Sequence, residues 1–389
     1  MDPSRFTKPA GSITNQPARD GRPYACFIPS SLPPPLDPVD LANLSNLLSE
    51  ASLQLGQLAG LGRLLPNPAL LVRPYARREA IASSRIEDTH TSFTDLVAFE
   101  SGGHRIGSPE TREVHNYVLA LEFGLRHVRE EGITPHLVRM IHKQLMTGAR
   151  GERFSTPGEF RNVQNHIGGG SNHPADARFV PPPPGEAMVL LDQLFGFVAD
   201  PSSGLPALIE VALIHYQFET IHPFLDGNGR VGRVLIPLLL ALRHQIDHPL
   251  LYLSPFFERD RSRYYDLLFG VSARSDWLSW LQYFLSGVTA EATAGVQLAS
   301  QIIALGKDWH ERLTAAKASQ NAHRLSDYVH EVIGLDPAAA KRFLEVAPQT
   351  AYNAIATLEN VGIIEEITGS KRGQIFIAKE LVNLLQTAH

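Results

Sequence analysis

The twelve residues HPFLDGNGRVGR, 222 to 233, constrain this chain more than any other stretch. The preceding segment ALIEVALIHYQFETI has helical apolar spacing and must end near His222, because Pro223 disfavours helical geometry in the residue before it. A second apolar helix is expected to begin near Arg230, so one short turn joins two buried helices. In that turn Gly227 and Gly229 bracket Asn228, which permits positive φ and close approach of backbone to a ligand. The free N–H groups of the second helix aim at the turn, and Arg230 and Arg233, three apart, add guanidinium donors facing the same way. This is a cradle for a polyphosphate.

Asp226 beside that cradle is the carboxylate expected to hold Mg²⁺ together with phosphate oxygens. His222, with an ordinary pKa near ~6.5, is placed as general base for a hydroxyl attacking phosphorus. Base, metal ligand, anion cradle and cationic clamp are the parts of a phosphoryl-group transfer. The bland alternative is a capped loop whose His and Arg residues make surface hydrogen bonds. Against it, H-x-F-x-D-G-N-G-R-x-x-R fixes eight positions, and its chance occurrence in a chain this long is on the order of 10⁻⁸.

With 389 residues the chain has room for two or three compact units. Its 35 Lys and Arg against 40 Asp and Glu give a net charge of -5, so no global field draws it to nucleic acid or anionic membrane. The lone Cys26, and an N-terminus without an apolar signal core, place the chain in a reducing cytoplasm. The longest apolar run, Val234 to Leu242, is far short of the ~20 residues needed to span a bilayer.

The expected architecture is mainly α. Residues 1–38, rich in proline, read as an extended arm over the surface. Residues 39–125 form an N-terminal helical region, 126–290 a catalytic core, 291–322 a linker helix and 323–389 a small separate unit. Helical patterns recur at 109–131, 134–147, 185–199, 205–220 and 229–244. One interruption, residues 158–184, combines β-prone pieces, three glycines and four prolines, and reads as a hairpin-like loop. After residue 323 the order helix, helix, strand, turn, strand matches a winged helix-turn-helix.

The motif at 222–233 closely resembles the signature of the Fic family, H-x-F-x-[DE]-G-N-G-R-x-x-R, and the resemblance extends from roughly residue 25 to the end. It implies a Fic-type helical core with a β-hairpin flap. Fic enzymes mostly transfer AMP from ATP to a Ser, Thr or Tyr hydroxyl of a protein, releasing pyrophosphate. By that resemblance His222 deprotonates the target hydroxyl, Asp226 holds Mg²⁺ and Phe224 anchors the loop. Gly227, Asn228, Gly229 and Arg230 then bind the α and β phosphates, with Val231 in the same ATP-binding run, and Arg233 binds the γ phosphate. The stretch around Ile167, Gly168 and Gly169 looks like the flap that registers a target segment by β-augmentation. LYLSPFFERDRSRYYDLL resembles the segment supplying part of the adenine and ribose pocket, with Tyr264 as contact and Asp260 where relatives often carry asparagine.

In EAIASSRIED, Ser83 and Glu87 stand four apart on one face of an expected helix. Beside a Fic core they resemble the inhibitory motif [ST]-x-x-x-E-[GN], with Asp88 departing at the last position. A glutamate paired with Arg233 would occupy the γ-phosphate position and repel it. The expectation is a protein adenylyltransferase restrained by Glu87.

Two rivals stand beside it: a winged-helix DNA-binding regulator with a vestigial Fic domain, and a Fic enzyme that removes AMP or transfers another phosphate-containing group. Residues 320–389 carry six Lys or Arg against eight Asp or Glu, and QTAYNAIATLEN has no positive charge, which argues against duplex binding. Only Lys371 and Arg372 at the wing tip supply a local basic footprint. The expected partners are a hydroxyl-bearing protein target and no membrane, with a homodimer left open.

Overall fold

The computed structural model describes residues 1–389 except 18–20, 65–66, 104–106, 151, 170, 172, 201–202, 370–371 and 388–389, and leaves out four further side chains, those of 64, 103, 153 and 154. Lys371 of the expected wing tip therefore lies outside the described residues, as does the third glycine of the flap. The fold is mainly helical. In chain order it runs β1 (Gly11–Gln16), β2 (Tyr24–Pro29), α1 (Pro38–Leu64), α2 (Ala69–Ile86), α3 (Phe93–Ala98), α4 (Pro109–Glu131), α5 (Pro135–Met146) and α6 (Glu152–Ser155). It continues with α7 (Pro184–Ala199), α8 (Ala207–Ile221), α9 (Asn228–Leu242), α10 (Ser254–Arg259), α11 (Arg261–Arg274) and α12 (Trp277–Ala315). The last unit is α13 (Gln320–Val332), β3 (Gly334–Leu335), α14 (Pro337–Leu344), α15 (Pro348–Asn360), β4 (Glu365–Glu366), β5 (Phe376–Ile377) and α16 (Lys379–Thr387).

Several of the helices start where side-chain oxygens take up orphan N–H groups. Ser92 accepts from the Asp95 amide, Ser108 from Thr111 and Thr134 from Leu137, at 3.0 to 3.2 Å. Asp260 accepts from the Arg263 amide at 3.0 Å and so caps α11. An asparagine would serve that cap equally well.

Helices α8 and α9 form the centre: thirteen residues of each are buried, and their apolar surface meets α4, α5, α7, α11 and α12. Burying these two helices on almost all sides fixes the turn between them. The C-terminal unit closes with a three-stranded sheet of order β3-β5-β4 and antiparallel pairs. It rests on the rest of the molecule through α12 and α2, where Arg312 makes a bidentate pair with Glu380 (2.9 and 3.0 Å) and Arg73 meets Glu331 at 2.8 Å.

The N-terminal segment departs from the expected extended arm. It is a β-hairpin in which Gly11 to Gln16 pair with Pro29 to Tyr24. Phe27 is fully buried, its ring 5.5 Å from Phe6 and 5.8 Å from Phe179, and its amide donates to the Val180 carbonyl at 2.9 Å. The hairpin thus packs against the 177–180 segment and Phe269 in a second small core. Its prolines lie mostly outside the strands and leave the pairing intact. Among its described residues, the 158–184 loop holds less β structure than expected: a single antiparallel bridge, Ile167 to Phe179, at 2.9 and 3.1 Å.

Candidate active site

His222 ends α8 in the left-handed region (φ 53), an unusual conformation for a residue with a side chain. Two side chains hold it there. The Arg161 Nε donates to the His222 carbonyl at 2.8 Å, and Asn165 Nδ2 donates to the carbonyls of His222 (3.3 Å) and Phe224 (2.8 Å). Both brackets come from the loop expected to be the flap, so that loop braces the motif as well as facing the cavity. Its Nδ1 lies 3.1 Å from the Glu219 carbonyl; Nδ1–H donates there, which leaves Nε2 as the free acceptor. Burial pushes the His222 pKa down to about 4, the Glu219 carbonyl and Glu87 opposing it, so the imidazole is neutral at pH 7.

The turn itself is built from inside. Asn228 is buried, accepts from the Phe224 amide at 2.8 Å and donates to the Phe224 carbonyl at 2.9 Å. Its side chain is consumed as a brace, so only its backbone is left for a ligand. His142 stacks on Phe224 at 3.8 Å, donates from Nε2 to the Asp226 carbonyl at 3.0 Å and accepts the Gly158 amide at Nδ1. Burial pushes His142 down to about 4, so it too is neutral. Gly227 takes φ +78, and a Cβ there would lie 2.8 Å from Met146 Sδ. Gly229 is helical, contrary to the expected positive φ; it is needed for space, because a Cβ would collide with Glu87 Oε1 and sit 2.9 Å from Arg233 Nη1.

The two arginines diverge rather than facing the same way. Arg230 lies toward α4 and α5, with Nη1 3.5 Å from Glu113 and Nη2 3.5 Å from Met146 Sδ. Arg233 turns to the end of α2: its Nε donates to Ser83 Oγ at 2.8 Å, and its Nη2 donates to the Ser83 carbonyl at 2.9 Å and to Glu87 Oε1 at 2.8 Å. Its Nη1 is buried without a hydrogen-bond partner. Burial works against both charges of this pair, yet each holds the other ionised: Arg233 keeps Glu87 below its ordinary value, and Glu87 keeps Arg233 above its own. Glu87 itself caps α2, and Asp88 follows with φ 57, the region where glycine or asparagine is favoured. The Asp88 carboxylate is bidentate to Arg261 at 2.5 and 2.9 Å.

A cavity of about 470 Å³ opens over the turn. Glu87, His222, Asp226 and the residues Gly227 to Arg230 line it, and Ile167 and Gly168 of the flap face it. Gly169 lies beside the bridge with φ 122. Arg233 is 1% exposed and lies beneath Glu87, outside the lining. Asp226 is the exposed carboxylate at the rim, its Oδ1 accepting the Gly227 amide at 2.6 Å.

Two expected contacts are corrected. Val231 is fully buried in the core and its amide is spent on the Gly227 carbonyl at 3.0 Å, so it offers nothing to a nucleotide. Tyr264 is also fully buried, with its hydroxyl 2.8 Å from His215 Nε2; its neighbour Tyr265 lines the cavity instead. Adjacent residues on a helix point about 100° apart, so a Tyr-Tyr pair cannot both face the site. Sequence reasoning also missed Arg161, Asn165, His142, Arg261 and Glu219. Only the short spacing of Glu219 from His222 could have flagged it.

Residues 45–126 match the family profile "Fic/DOC family N-terminal", and residues 132–240 match "Fic/DOC family". The chain carries a Fic domain preceded by the family's N-terminal region. Among curated relatives, Protein adenylyltransferase Fic of Drosophila willistoni is 29% identical over 160 residues, which is 40% of this chain and 28% of that protein. The protein of the same name in Culex quinquefasciatus is 28% identical over 161 residues, 40% of this chain and 29% of the other. The match to this Fic chain therefore spans under a third of the length of those relatives. Among solved structures, a Fic family protein from Desulfovibrio desulfuricans G20 superposes with a TM-score of 0.55 at 20% identity, covering 88% of this chain and 96% of that one. Fic-1 (aa134 - 508) from C. elegans superposes at 0.51 with 22% identity, covering 68% and 73%. These likenesses establish the fold.

Proposed function

We propose that this Fic protein transfers AMP from ATP to a Ser, Thr or Tyr hydroxyl of a protein, and that Glu87 restrains the transfer. The observation that carries this reading is the triple hold of Ser83 and Glu87 on Arg233 beneath a cavity lined by His222 and the Gly227 to Arg230 turn. Curated relatives bearing the name protein adenylyltransferase support the reaction class.

In the proposed step His222 Nε2, unprotonated because Nδ1–H is donated to Glu219, takes the proton of the target hydroxyl. The hydroxyl oxygen bonds to the α phosphorus as the bond from that phosphorus to the pyrophosphate oxygen breaks, and pyrophosphate leaves. The proton stays on His222 until it passes to solvent. Backbone amides at the start of α9 stabilise the phosphate charge. Asp226, a single exposed carboxylate at the rim, has the donor chemistry to hold Mg²⁺, which when bound neutralises phosphate charge. The flap offers backbone beside Ile167 and Gly168 for a target segment in extended conformation.

The γ-phosphate cannot reach Arg233 while Glu87 covers it, so the restraint and the site are one arrangement. The test is intact-mass analysis of the wild type, Glu87→Gly and Glu87→Gly/His222→Ala after incubation with ATP and Mg²⁺ and a lysate. An AMP adduct that appears with Glu87→Gly, is weak in the wild type and is absent without His222 is the expected outcome. Absence of any AMP adduct from the Glu87→Gly reaction overturns the reading, and an adduct of another mass replaces it with a different transferred group.

A further inference from the structure

Glu219 stands one turn before His222 on α8 and belongs to neither the motif nor the restraint. It lines the cavity, yet its Oε1 is buried with no hydrogen-bond partner. Such an oxygen costs free energy unless a ligand or another function compensates for it. The fold makes room for it deliberately: a Cβ on Gly232 would collide with Glu219 Oε1. Gly229 and Gly232 thus form a bare stripe on α9, with Glu87 lying over the first and Glu219 over the second.

Glu219 shares the cavity lining with the phosphate cradle, Gly227 to Arg230, and with Tyr265, Leu268 and Phe269 of α11, an apolar wall suited to a flat base. Its carboxyl is near enough to Arg233 and to Tyr265 to act on the ionisation of both. Between a phosphate cradle and a base-sized apolar wall lies the sugar of a nucleotide.

We propose that the Glu219 carboxyl hydrogen-bonds a ribose hydroxyl of the bound nucleotide and is a specificity-determining residue of this site. The inference rests on the nucleotide reading given above. A carboxylate so near a polyphosphate would repel it, but Glu219 avoids this. Burial, with the nearby Glu87 charge, pushes its pKa up to about 8 against the opposing pull of Arg233, so it carries its proton at pH 7. The phenols of Tyr264 and Tyr265 on α11, which Glu219 also acts on, are uncharged at that pH, as is the His222 imidazole at the end of its own helix. A neutral carboxyl both donates and accepts, as a sugar hydroxyl does.

The experiment is calorimetric titration of ATP, 2′-deoxy-ATP and 3′-deoxy-ATP, each with Mg²⁺, into the Glu87→Gly protein and into its Glu219→Ala, Glu219→Gln and Gly232→Ala derivatives. The parent is expected to bind at least one deoxy analogue about three- to tenfold more weakly than ATP, the worth of one hydrogen bond. Glu219→Ala should erase that difference. Glu219→Gln, which keeps a donor and an acceptor, should preserve it, and Gly232→Ala, which displaces the carboxyl, should behave as Glu219→Ala. Equal binding of all three nucleotides by the parent, or a discrimination that survives Glu219→Ala, overturns the inference while leaving the nucleotide site standing. Failure of the parent to bind ATP at all removes the nucleotide reading and this inference with it.

Discussion

At the level of single residues, the site is organised by who holds a proton. His222 is neutral because burial removes the charged form, and its free Nε2 is set by the donation of Nδ1–H to the Glu219 carbonyl. Its pKa of about 4 lies below the ordinary imidazole value, so protonation shuts the base off only in strong acid. Transfer by the Glu87→Gly protein is therefore expected to stay flat from roughly pH 6 to 8 on the His222 account, without the ordinary inflection near 6.5. Losing Glu87 removes a carboxylate that raises His222, so the variant can only move the inflection further down. A pH–rate profile in single turnover checks this. Glu87→Gly itself removes a charge-assisted hydrogen bond from Arg233, worth about 1.5–3 kcal/mol, and transfer is expected to rise about tenfold or more when radiolabelled AMP incorporation is compared with the wild type.

Secondary-structure elements supply the positions those residues need, and their ends matter more than their middles. The end of α2 carries the restraint because Glu87 caps it and Asp88 turns left-handed behind it. Asp88→Gly relieves that backbone cost and gives up the Arg261 pair. The Asp88 side chain is 72% exposed, so the pair is worth little, and the melting temperature should shift by no more than a degree or two. Gly227→Ala is the opposite case. Positive φ and the close Met146 sulfur act together, and a loss of about 1–3 kcal/mol is expected by chemical denaturation, with the phosphate turn deformed.

The motif and the helices around it were legible in sequence because each is local: spacing, caps and turn residues within a dozen positions; the Ser83/Glu87 pair was legible only through its resemblance to the Fic inhibitory motif, since its partner Arg233 is far away along the chain. Tyr264 against Tyr265 was not, because helical phase is set by which face the neighbouring helices bury. The role of Gly229 was not, because it depends on Glu87, far away along the chain. The β1–β2 hairpin was hidden for the same reason, since the Phe27 amide finds its acceptor at Val180, far away along the chain.

Across the whole molecule, the C-terminal unit and the N-terminal hairpin brace the two parts that the proposed reaction would use. The C-terminal unit rests on α2, the helix that ends in Glu87, and the N-terminal hairpin rests on the second limb of the flap. Among the described residues the flap has one β-bridge, too little pairing for an independent hairpin, so its shape must come from what lies behind it. Phe27 is the centre of that backing: fully buried, packed between Phe6 and Phe179, and hydrogen-bonded through its amide to Val180. Phe27→Ala removes a buried aromatic ring and is expected to cost about 3–5 kcal/mol if the surrounding structure stays in place. The small second core is separate from the main one, so the loss should be felt locally before it is felt globally. Hydrogen exchange then distinguishes the two cases. Amides of Ile167 and Phe179 should exchange faster in Phe27→Ala, while those in the middle of α9 keep their protection relative to the wild type. Equal acceleration of α9 would mean that the hairpin supports the whole fold and gives the flap no backing of its own.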